Sequence, residues 1–353
     1  MTNGTRRGEA APRRATGGQP IMREVAERAG VALSSVSRVL SGHPDVSPVM
    51  RNRVLDAVAA LQYQPNLLAQ SLRTGETRTI GFLVADISNP LMSRIAVGAE
   101  VMLRESGYVM LLTNSFNEPG LDAKHVRLFQ QRRVDGLLLS LSDETDADVV
   151  TALGQLDLPA VLVDRQMPGT PFASVVSDHA AGIRAAVTHL HELGHRHIGL
   201  VNDNRNVRPS RERSNAFRRA CRALPGLTGA VRSVAPRPEA GYLGAKELLG
   251  ANKSLSALIA GGNQILAGVL PALRDLGISF PADVSLVTCD DFPFSDYLAV
   301  TTVSRDTREL GERAASLLLE QLAGEPASQV VLPTSLRATD SCAPPSKRRA
   351  LVS

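Results

Sequence analysis

A short cluster of side chains near the N-terminal end has the chemistry needed to bind the edges of bases in duplex DNA. Leu33 and the two serines that follow it begin a short helical pattern, and Arg38 comes about one turn later on the same side. An arginine can donate two hydrogen bonds to guanine O6 and N7, worth about 1–3 kcal/mol of discrimination, and a leucine can contact a thymine methyl group. The alternative for Arg38 is a surface ion pair with Glu24 or Glu27.

The spacing of apolar residues around this cluster predicts a helix-turn-helix, a unit whose second helix enters the major groove. Helices are expected near 22–29, 33–40 and 48–61, with Gly30 at the turn and Ser47-Pro48 starting the third helix. The apolar positions at helical spacing are Ile21, Val25, Ala26, Ala29, Val36, Val39, Leu40, Val54, Val58 and Leu61.

Positive charge is concentrated in the same part of the chain. The first 75 residues carry ten arginines against five acidic residues, whereas the whole chain of 353 residues has a formal net charge of +4. A basic module of this size is what contact with phosphates requires. The segments 1–19 and 341–353 are rich in Gly, Pro, Ala, Ser and Arg, and we expect them to be disordered.

From residue 78 to residue 340, short apolar runs alternate with amphipathic helical segments. This alternation predicts parallel sheets covered by helices on both faces, arranged as two similar lobes with a break near residue 176. The expected strands are Ile80–Val84, Val109–Thr113, Gly136–Leu141, Ala160–Asp164, His197–Val201, Ala257–Ala260, Leu286–Cys289 and Val300–Val303. The expected helices lie near 91–106, 120–132, 180–193, 211–223, 239–250 and 264–276.

Several motifs in one order resemble the lactose-repressor (LacI/GalR) family of bacterial transcription regulators. They are V-A-E-R-A-G-V-A-L-S-S-V-S-R-V-L at 25–40, Y-Q-P-N-L-L-A-Q-S-L-R-T-G at 63–75, G-F-L-V-A-D-I-S-N-P at 81–90, R-R-V-D-G-L-L-L at 132–139 and D-V-S-L-V-T-C-D-D at 283–291. The resemblance implies a helix-turn-helix domain at 20–64, a hinge at 65–77 and a two-lobed periplasmic-binding-protein type-I domain at 78–340. In that fold the chain returns to the first lobe near 304 and to the second near 334. One departure is Ser41, where the family commonly has Asn.

The same resemblance implies roles in DNA binding. Leu33, Ser34 and Arg38 would face base edges, and Ser35 and Ser37 would contact phosphates. The hinge would fold on DNA into a short helix that pairs with its copy and enters the minor groove. Its contacts would come from Asn66, Ala69, Leu72 and Arg73, with Leu72 as a wedge between base pairs. A flexible linker over 62–78 is the alternative.

Polar residues at the carboxyl ends of the expected strands predict a ligand site in the cleft between the lobes. The candidates are Asp86, Asn89, Leu91, Asp164, Arg213, Asn263, Asp290 and Arg305. By resemblance, Asp164, Arg213 and Asp290 match effector-contact positions. An inter-lobe salt bridge of Asp164 and Arg165 is the alternative.

Several departures from the family bear on the ligand. Gly262-Asn263 stands where the family has Asn-Asp, Arg305 where it has Gln, and Leu91 where an aromatic residue is common, and there is no Trp. These changes remove negative charge and add positive charge, so we hypothesise an anionic effector such as a sugar acid, a phosphorylated sugar or an organic acid.

Taken together, the motifs predict a regulator, expected to be a repressor, that binds a palindromic operator as a homodimer and responds to a small-molecule effector. A small-molecule binding protein with a relic headpiece is the other possibility. No motif for phosphate-loop, dinucleotide or serine-hydrolase chemistry occurs, so neither catalysis nor a cofactor is expected. A metal site in the histidine-rich stretch 189–197 is an alternative to a structural role. No secretory signal or membrane span is found, which favours the cytoplasm. No heptad pattern follows residue 340, which favours a dimer over a tetramer.

Overall fold

The structure is a computed structural model that describes residues 20–64, 75–292 and 295–346. The chain divides into two compact units, Met1–Thr77 and Arg78–Ser353.

The first unit is a bundle of three short helices, α1 (Met22–Ala29), α2 (Leu33–Leu40) and α3 (Pro48–Leu61). Gly30 ends α1 in the left-handed conformation with φ of 60°, which glycine adopts without a steric cost. The Ser47 side chain accepts a hydrogen bond from the Met50 amide at 3.3 Å, capping α3 one residue before Pro48. All three predicted helices are confirmed. Their buried faces form one small core of Val25, Ala26, Ala29, Val36, Val39, Val46, Val54, Ala57 and Tyr63.

The second unit contains two six-stranded sheets, one in each lobe. The strands are β1 (Thr79–Val84), β2 (Val109–Asn114), β3 (Gly136–Leu139), β4 (Ala160–Val163), β5 (Ala173–Ser177), β6 (His197–Asp203), β7 (Thr228–Val234), β8 (Ala257–Ala260), β9 (Ser285–Cys289), β10 (Thr301–Ser304), β11 (Gln329–Leu332) and β12 (Ser335–Arg337). Their order is β11-β5-β4-β3-β1-β2 in the first sheet and β12-β10-β9-β8-β6-β7 in the second. All neighbours are parallel except β10 and β12, which are antiparallel.

Helices cover both faces of each sheet, so the central strands are buried on both sides and read as continuous apolar runs. The two-lobed parallel architecture predicted from the sequence is confirmed. The helices are α4 (Pro90–Glu105), α5 (Pro119–Gln131), α6 (Ala147–Gly154), α7 (His179–Glu192), α8 (Arg208–Ala223), α9 (Pro238–Ala251), α10 (Asn263–Asp275), α11 (Ser295–Leu298) and α12 (Thr307–Leu322).

The chain passes between the lobes three times. It leaves the first sheet after β5, returns after β10 so that α12 and β11 complete the first lobe, and ends in the second sheet with β12. These crossings agree with those expected near 176, 304 and 334. In the first lobe α12 packs closely on α4, because a Cβ atom at either Gly98 or Gly311 would collide with backbone of the opposite helix.

Some elements were absent from the sequence prediction. Strand β7 lies at an open edge and pairs only with β6, so most of its side chains are exposed and it has no apolar run. The short strands β5, β11 and β12 and the helices α6, α11 and α12 were also missed. The amphipathic spacing of α12, with Leu310, Ala314 and Leu318 buried, was a usable signal.

The structured body extends past the predicted boundary at residue 340. The Ser341 hydroxyl donates to the Leu286 carbonyl at 2.6 Å, and the Ala343 amide donates to the Ser285 hydroxyl at 3.0 Å. These bonds hold residues 341–343 on β9, so this segment is ordered although its polar composition predicted disorder. The remaining expected tails, 1–19 and 347–353, lie outside the described residues.

Within the described parts of the chain, no helix combines the length and hydropathy needed to cross a membrane. The three cysteines, Cys221, Cys289 and Cys342, are free thiols.

Candidate functional site

One side of α2 is open to solvent at its N-terminal end. Leu33 is 51% exposed, Ser34 and Arg38 are exposed, and Ser35 and Ser37 are partly buried. Val36 and Val39 on the opposite side lie in the three-helix core, which fixes the rotation of α2 about its axis. The five side chains predicted to contact DNA therefore lie together on one helix that the core holds in place.

The surface ion pair considered for Arg38 is not formed. Glu24 instead accepts a hydrogen bond from the Ile21 amide at 3.1 Å, and Glu27 pairs with Arg23 at 3.6 Å. In the described residues no ion pair involves Arg38. Ser41 has a structural role here, since its hydroxyl donates to the Arg38 carbonyl at 3.2 Å at the end of α2.

The predicted hinge contacts cannot be placed, because Asn66, Ala69, Leu72 and Arg73 lie outside the described residues. Their assignment stays a prediction from the resemblance.

The second unit contains a cleft where the carboxyl ends of strands from both lobes meet. Asp164 directly follows β4 in the first lobe, and Asp290 directly follows β9 in the second. Both have left-handed backbones, with φ of 53° and 68°, and each amide donates to the adjacent strand, to Val175 and Val303 respectively. A left-handed aspartate is uncommon and costs conformational energy, so its recurrence at equivalent strand ends marks these two positions as candidate functional residues.

Arg305 joins the two aspartates across the cleft. It follows β10, and its guanidinium is 3% exposed. Nη1 lies 2.6 Å from Asp164 Oδ2, and Nε lies 2.6 Å from Asp290 Oδ1. One arginine at a crossover between the lobes therefore pairs with a carboxylate from each. The inter-lobe ion pair exists, but Arg305 and not Arg165 forms it with Asp164.

The remaining oxygens of these carboxylates are also bonded. Asp290 Oδ2 accepts from Arg213 Nη2 at 2.9 Å, and Asp164 Oδ1 lies 3.1 Å from His179 Nε2. Burial opposes the ionisation of Asp164, but Arg305 holds the pKa of its carboxyl well below the usual range. Burial lowers the pKa of His179 to about 4, so this ring is neutral at pH 7 and its Nε2–H donates a hydrogen bond to the Asp164 carboxylate.

Arg165 and Arg205 lie in the same cleft but are bonded differently. Arg165 is 2% exposed and donates only to backbone carbonyls, from Nε to Leu141 at 2.5 Å and from Nη1 to Asp164 at 2.9 Å. Arg205 follows β6 and pairs with Asp203 at 2.6 Å, and its Nη1 donates to Asn117 Oδ1 of the first lobe at 2.5 Å.

Most of the predicted effector residues line one cavity in this cleft. They are Asn89, Leu91, Asp164, Arg213, Asn263, Asp290 and Arg305. Asn89 and Asn263 also join the lobes, since Asn263 Nδ2 donates to Asn89 Oδ1 at 2.8 Å. Asp86 does not line the cavity. Its carboxylate instead accepts from the Ser88 amide and hydroxyl in a local turn.

Sequence reasoning missed two charged residues of the cavity, Asp203 and Arg205, and the buried His179 behind it. The polar run Asn202 to Asn206 directly after an apolar strand was the available signal for the first two. His179 gave none, because a histidine at the start of an amphipathic helix has no distinctive pattern.

The histidine-rich stretch does not converge on one point. His195 bonds to Ser256, Ser285 and the Ala343 carbonyl at 2.8–3.0 Å, and His191 bonds to the Pro225 carbonyl. These bonds give His195 a structural role that joins β6, β9 and the segment after β12.

Comparison with known proteins places both units in one family. Residues 21–66 match the bacterial regulatory proteins of the lacI family, and residues 187–342 match the periplasmic binding protein-like domain. The HTH-type transcriptional regulator RegA of Clostridium saccharobutylicum is 30% identical over 312 residues, 85% of this chain and 92% of the relative. The HTH-type transcriptional regulator GalS of Salmonella typhimurium is 29% identical over 323 residues, 90% and 95% of the two chains.

The crystal structure of the lac repressor dimer bound to operator and the anti-inducer ONPF superimposes with a TM-score of 0.83 and 25% identity. The match covers 92% of this chain and all of that one. The likeness thus spans the headpiece and both lobes at once. The chain belongs to the lacI family of bacterial regulatory proteins and is a DNA-binding transcription regulator, not an enzyme.

Proposed function

We propose that the chain represses transcription by binding a palindromic operator as a homodimer, under the control of a small-molecule effector held between the lobes. The observation that carries this proposal is the exposed N-terminal end of α2, which presents Leu33, Ser34 and Arg38 on a rigid three-helix unit. In a helix-turn-helix this is the end that reaches base edges in the major groove.

Within that surface we assign Leu33, Ser34 and Arg38 to base edges and Ser35 and Ser37 to phosphates. The three-helix domain spans 20–64, the hinge and linker 65–77, and the effector domain runs from 78 through at least Ala343, whose amide and carbonyl bond to Ser285 and His195. We assign the minor-groove contacts to Asn66, Ala69, Leu72 and Arg73 of the hinge.

The first lobe offers a surface for a second copy of the chain. Edge strand β2 and the neighbouring helix α4 and loop expose Val97, Val109, Leu111, Leu112 and Phe116, each at least 38% accessible. Exposed large apolar side chains on adjacent elements are typical of an interaction surface. The lac repressor dimer on its operator supports the same assembly. We therefore propose that β2 and α4 contribute to the homodimer.

The cleft is the proposed effector site. Solved relatives include a regulator complexed with cellobiose and a lacI-family regulator with bound ribose. We propose that Asn89, Leu91, Asn263 and the ion-paired group Asp164, Arg213, Asp290 and Arg305 line the ligand site. A ligand that binds one cleft geometry better than another shifts the lobes and thereby the DNA affinity, typically by 1–3 kcal/mol of coupling. A cytoplasmic, nucleoid-associated location follows from the proposed DNA partner.

The test is selection of genomic fragments that bind the purified chain, followed by gel-shift titration on the selected sites. We expect an inverted repeat. Arg38→Ala should lower affinity for it by 1–3 kcal/mol, or about 5- to 150-fold, and relax the preference at one base position in each half.

Arg274→Ala is the matched control, because the Arg274 side chain is 77% exposed and pairs with Asp275 on α10, outside the elements assigned to DNA and to the dimer. It should leave operator binding unchanged. Equal affinity for selected and random duplex at physiological salt, with and without metabolites, would exclude the proposed function.

A further inference from the structure

We infer that the effector carries a carboxylate or phosphate group, and that Arg165 and Arg205 bind this group from opposite lobes of the cleft. The inference deepens the proposed function and rests on the cleft being the effector site.

The cavity contains more cationic than anionic side chains. Its lining includes four arginines, at 165, 205, 213 and 305, but only three carboxylates, at 164, 203 and 290. Each carboxylate has an arginine partner within 2.9 Å: Asp203 has Arg205, Asp164 has Arg305, and Asp290 has both Arg305 and Arg213. The His179 ring behind them is neutral at pH 7. One positive charge of the lining is therefore not matched by these carboxylates.

The unmatched charge is located on Arg165. Among the residues that the structure describes, Arg165 is the one cavity-lining arginine without a carboxylate within salt-bridge distance, since both of its bonds are to backbone carbonyls. It is nevertheless 98% buried, as its exposed fraction of 2% shows. Burial lowers the pKa of Arg165 to about 10, although the carboxylates of Asp164, Glu144 and Asp203 favour its charged form from a distance. An anionic ligand group would supply the direct partner that this buried guanidinium lacks.

Arg205 adds the second contact. It lies on the second lobe and lines the same cavity, and after burial its charge is the next cause that lowers the pKa of Arg165. Its Nη1 already reaches Asn117 on the first lobe. An anion between two arginines relieves their mutual repulsion and bonds to both lobes, so it favours the closed cleft.

Arg305 is excluded from this role, although its presence first suggested an anionic effector. Both of its charged contacts are with carboxylates, Asp164 and Asp290, so its charge is already compensated inside the protein. Its function is to connect the lobes.

The space available fits an anionic group and not a whole metabolite. The cavity measures about 60 Å³, whereas pockets for drug-sized ligands occupy roughly 300–1,000 Å³. A larger effector therefore requires some opening of the cleft, but a small anion does not. The probes are therefore inorganic phosphate, which represents a phosphate group, and D-gluconate, which represents a carboxylate.

The test is isothermal titration calorimetry of the full chain with inorganic phosphate, with D-gluconate and with neutral D-glucose, at constant ionic strength. We expect saturable binding of at least one anion and weaker or no binding of glucose. Arg165→Met and Arg205→Met should each weaken anion binding by about tenfold or more, and Arg165→Lys by less, since it keeps the charge. Tighter phosphate binding would indicate a phosphorylated effector, and tighter gluconate binding a sugar acid.

Arg274→Met, at an exposed site on α10, is the control and should bind the anion as the wild type does. All variants should retain operator affinity in gel shifts, which separates failure of this inference from failure of the proposed function. Arg205 is 23% exposed, so its replacement tests the site even if Arg165→Met fails to fold. The inference is wrong if neither anion binds saturably. It is also wrong if Arg165→Met and Arg205→Met both bind the anion as the wild type does, because the bound anion would then be an adventitious ion only.

Discussion

Replacing Arg305 with methionine tests the central ion-paired group of the cleft. The change removes the shared partner of two buried carboxylates that are 2% and 7% exposed. Breaking a buried ion pair by removing one partner costs about 3–5 kcal/mol. The lower end applies, because Asp290 keeps Arg213 and Asp164 keeps the His179 hydrogen bond. With roughly 2–4 °C per kcal/mol for a domain of this size, the melting temperature should fall by about 6–12 °C.

Differential scanning calorimetry measures this change, and two further variants show its origin. Arg308→Met removes an arginine three residues away that is 57% exposed and pairs with Glu312, so it should cost at most about 1 kcal/mol. Adding Asp164→Asn and Asp290→Asn to Arg305→Met removes the stranded charges and should recover much of the loss. At roughly 2–4 °C per kcal/mol, a shift of 2 °C corresponds to at most about 1 kcal/mol. If the melting temperature of Arg305→Met lay within that range of the wild-type value, the ion pairs would not hold the lobes together.

Two further predictions concern the stability of each unit. Ser47→Ala removes the cap of α3 and should destabilise the three-helix unit by about 1 kcal/mol. The loss should be measured as faster amide hydrogen exchange in α3. An unchanged exchange rate would mean that Ser47 does not stabilise the helix. Burial lowers the pKa of His195 from 6.5 to about 4. Between these pH values the unfolded chain binds a proton that the native state does not, so the free energy of unfolding falls as the pH is lowered. His195→Gln should flatten the fall in urea midpoint between pH 7.5 and 5. A slope equal to that of the wild type would contradict this.

Local signals made the headpiece the most predictable part of the fold. Its helices were expected over 22–29, 33–40 and 48–61 and are found there, because apolar spacing, a turn glycine and a serine cap all act within a few residues. The central strands were likewise predictable, since burial on both faces demands uninterrupted apolar runs. Edge strand β7 was not, because its backbone pairing leaves no trace in side-chain polarity.

The cleft was predictable in location but not in bonding. Strand ends identified Asp164, Asp290 and Arg305, yet the sequence did not reveal that Arg305 pairs with both aspartates. That pairing depends on the return of the chain between lobes, which brings residues 141 positions apart within 2.6 Å. The alternative considered from the sequence, a salt bridge of Asp164 and Arg165, is not formed, because Arg165 donates to the Leu141 and Asp164 carbonyls.

The exchange of segments between lobes has a consequence for synthesis of the protein. The first lobe needs α12 to cover its sheet and β11 to pair with β5, and both come from residues after 306. When the headpiece and five strands of the first sheet have emerged from the ribosome, the nascent chain therefore still exposes the apolar face that α12 will cover. Neither lobe can finish folding until the ribosome has translated β11 and β12, the second of which ends at Arg337, so this interval is when the polypeptide is most exposed to chaperones and to aggregation.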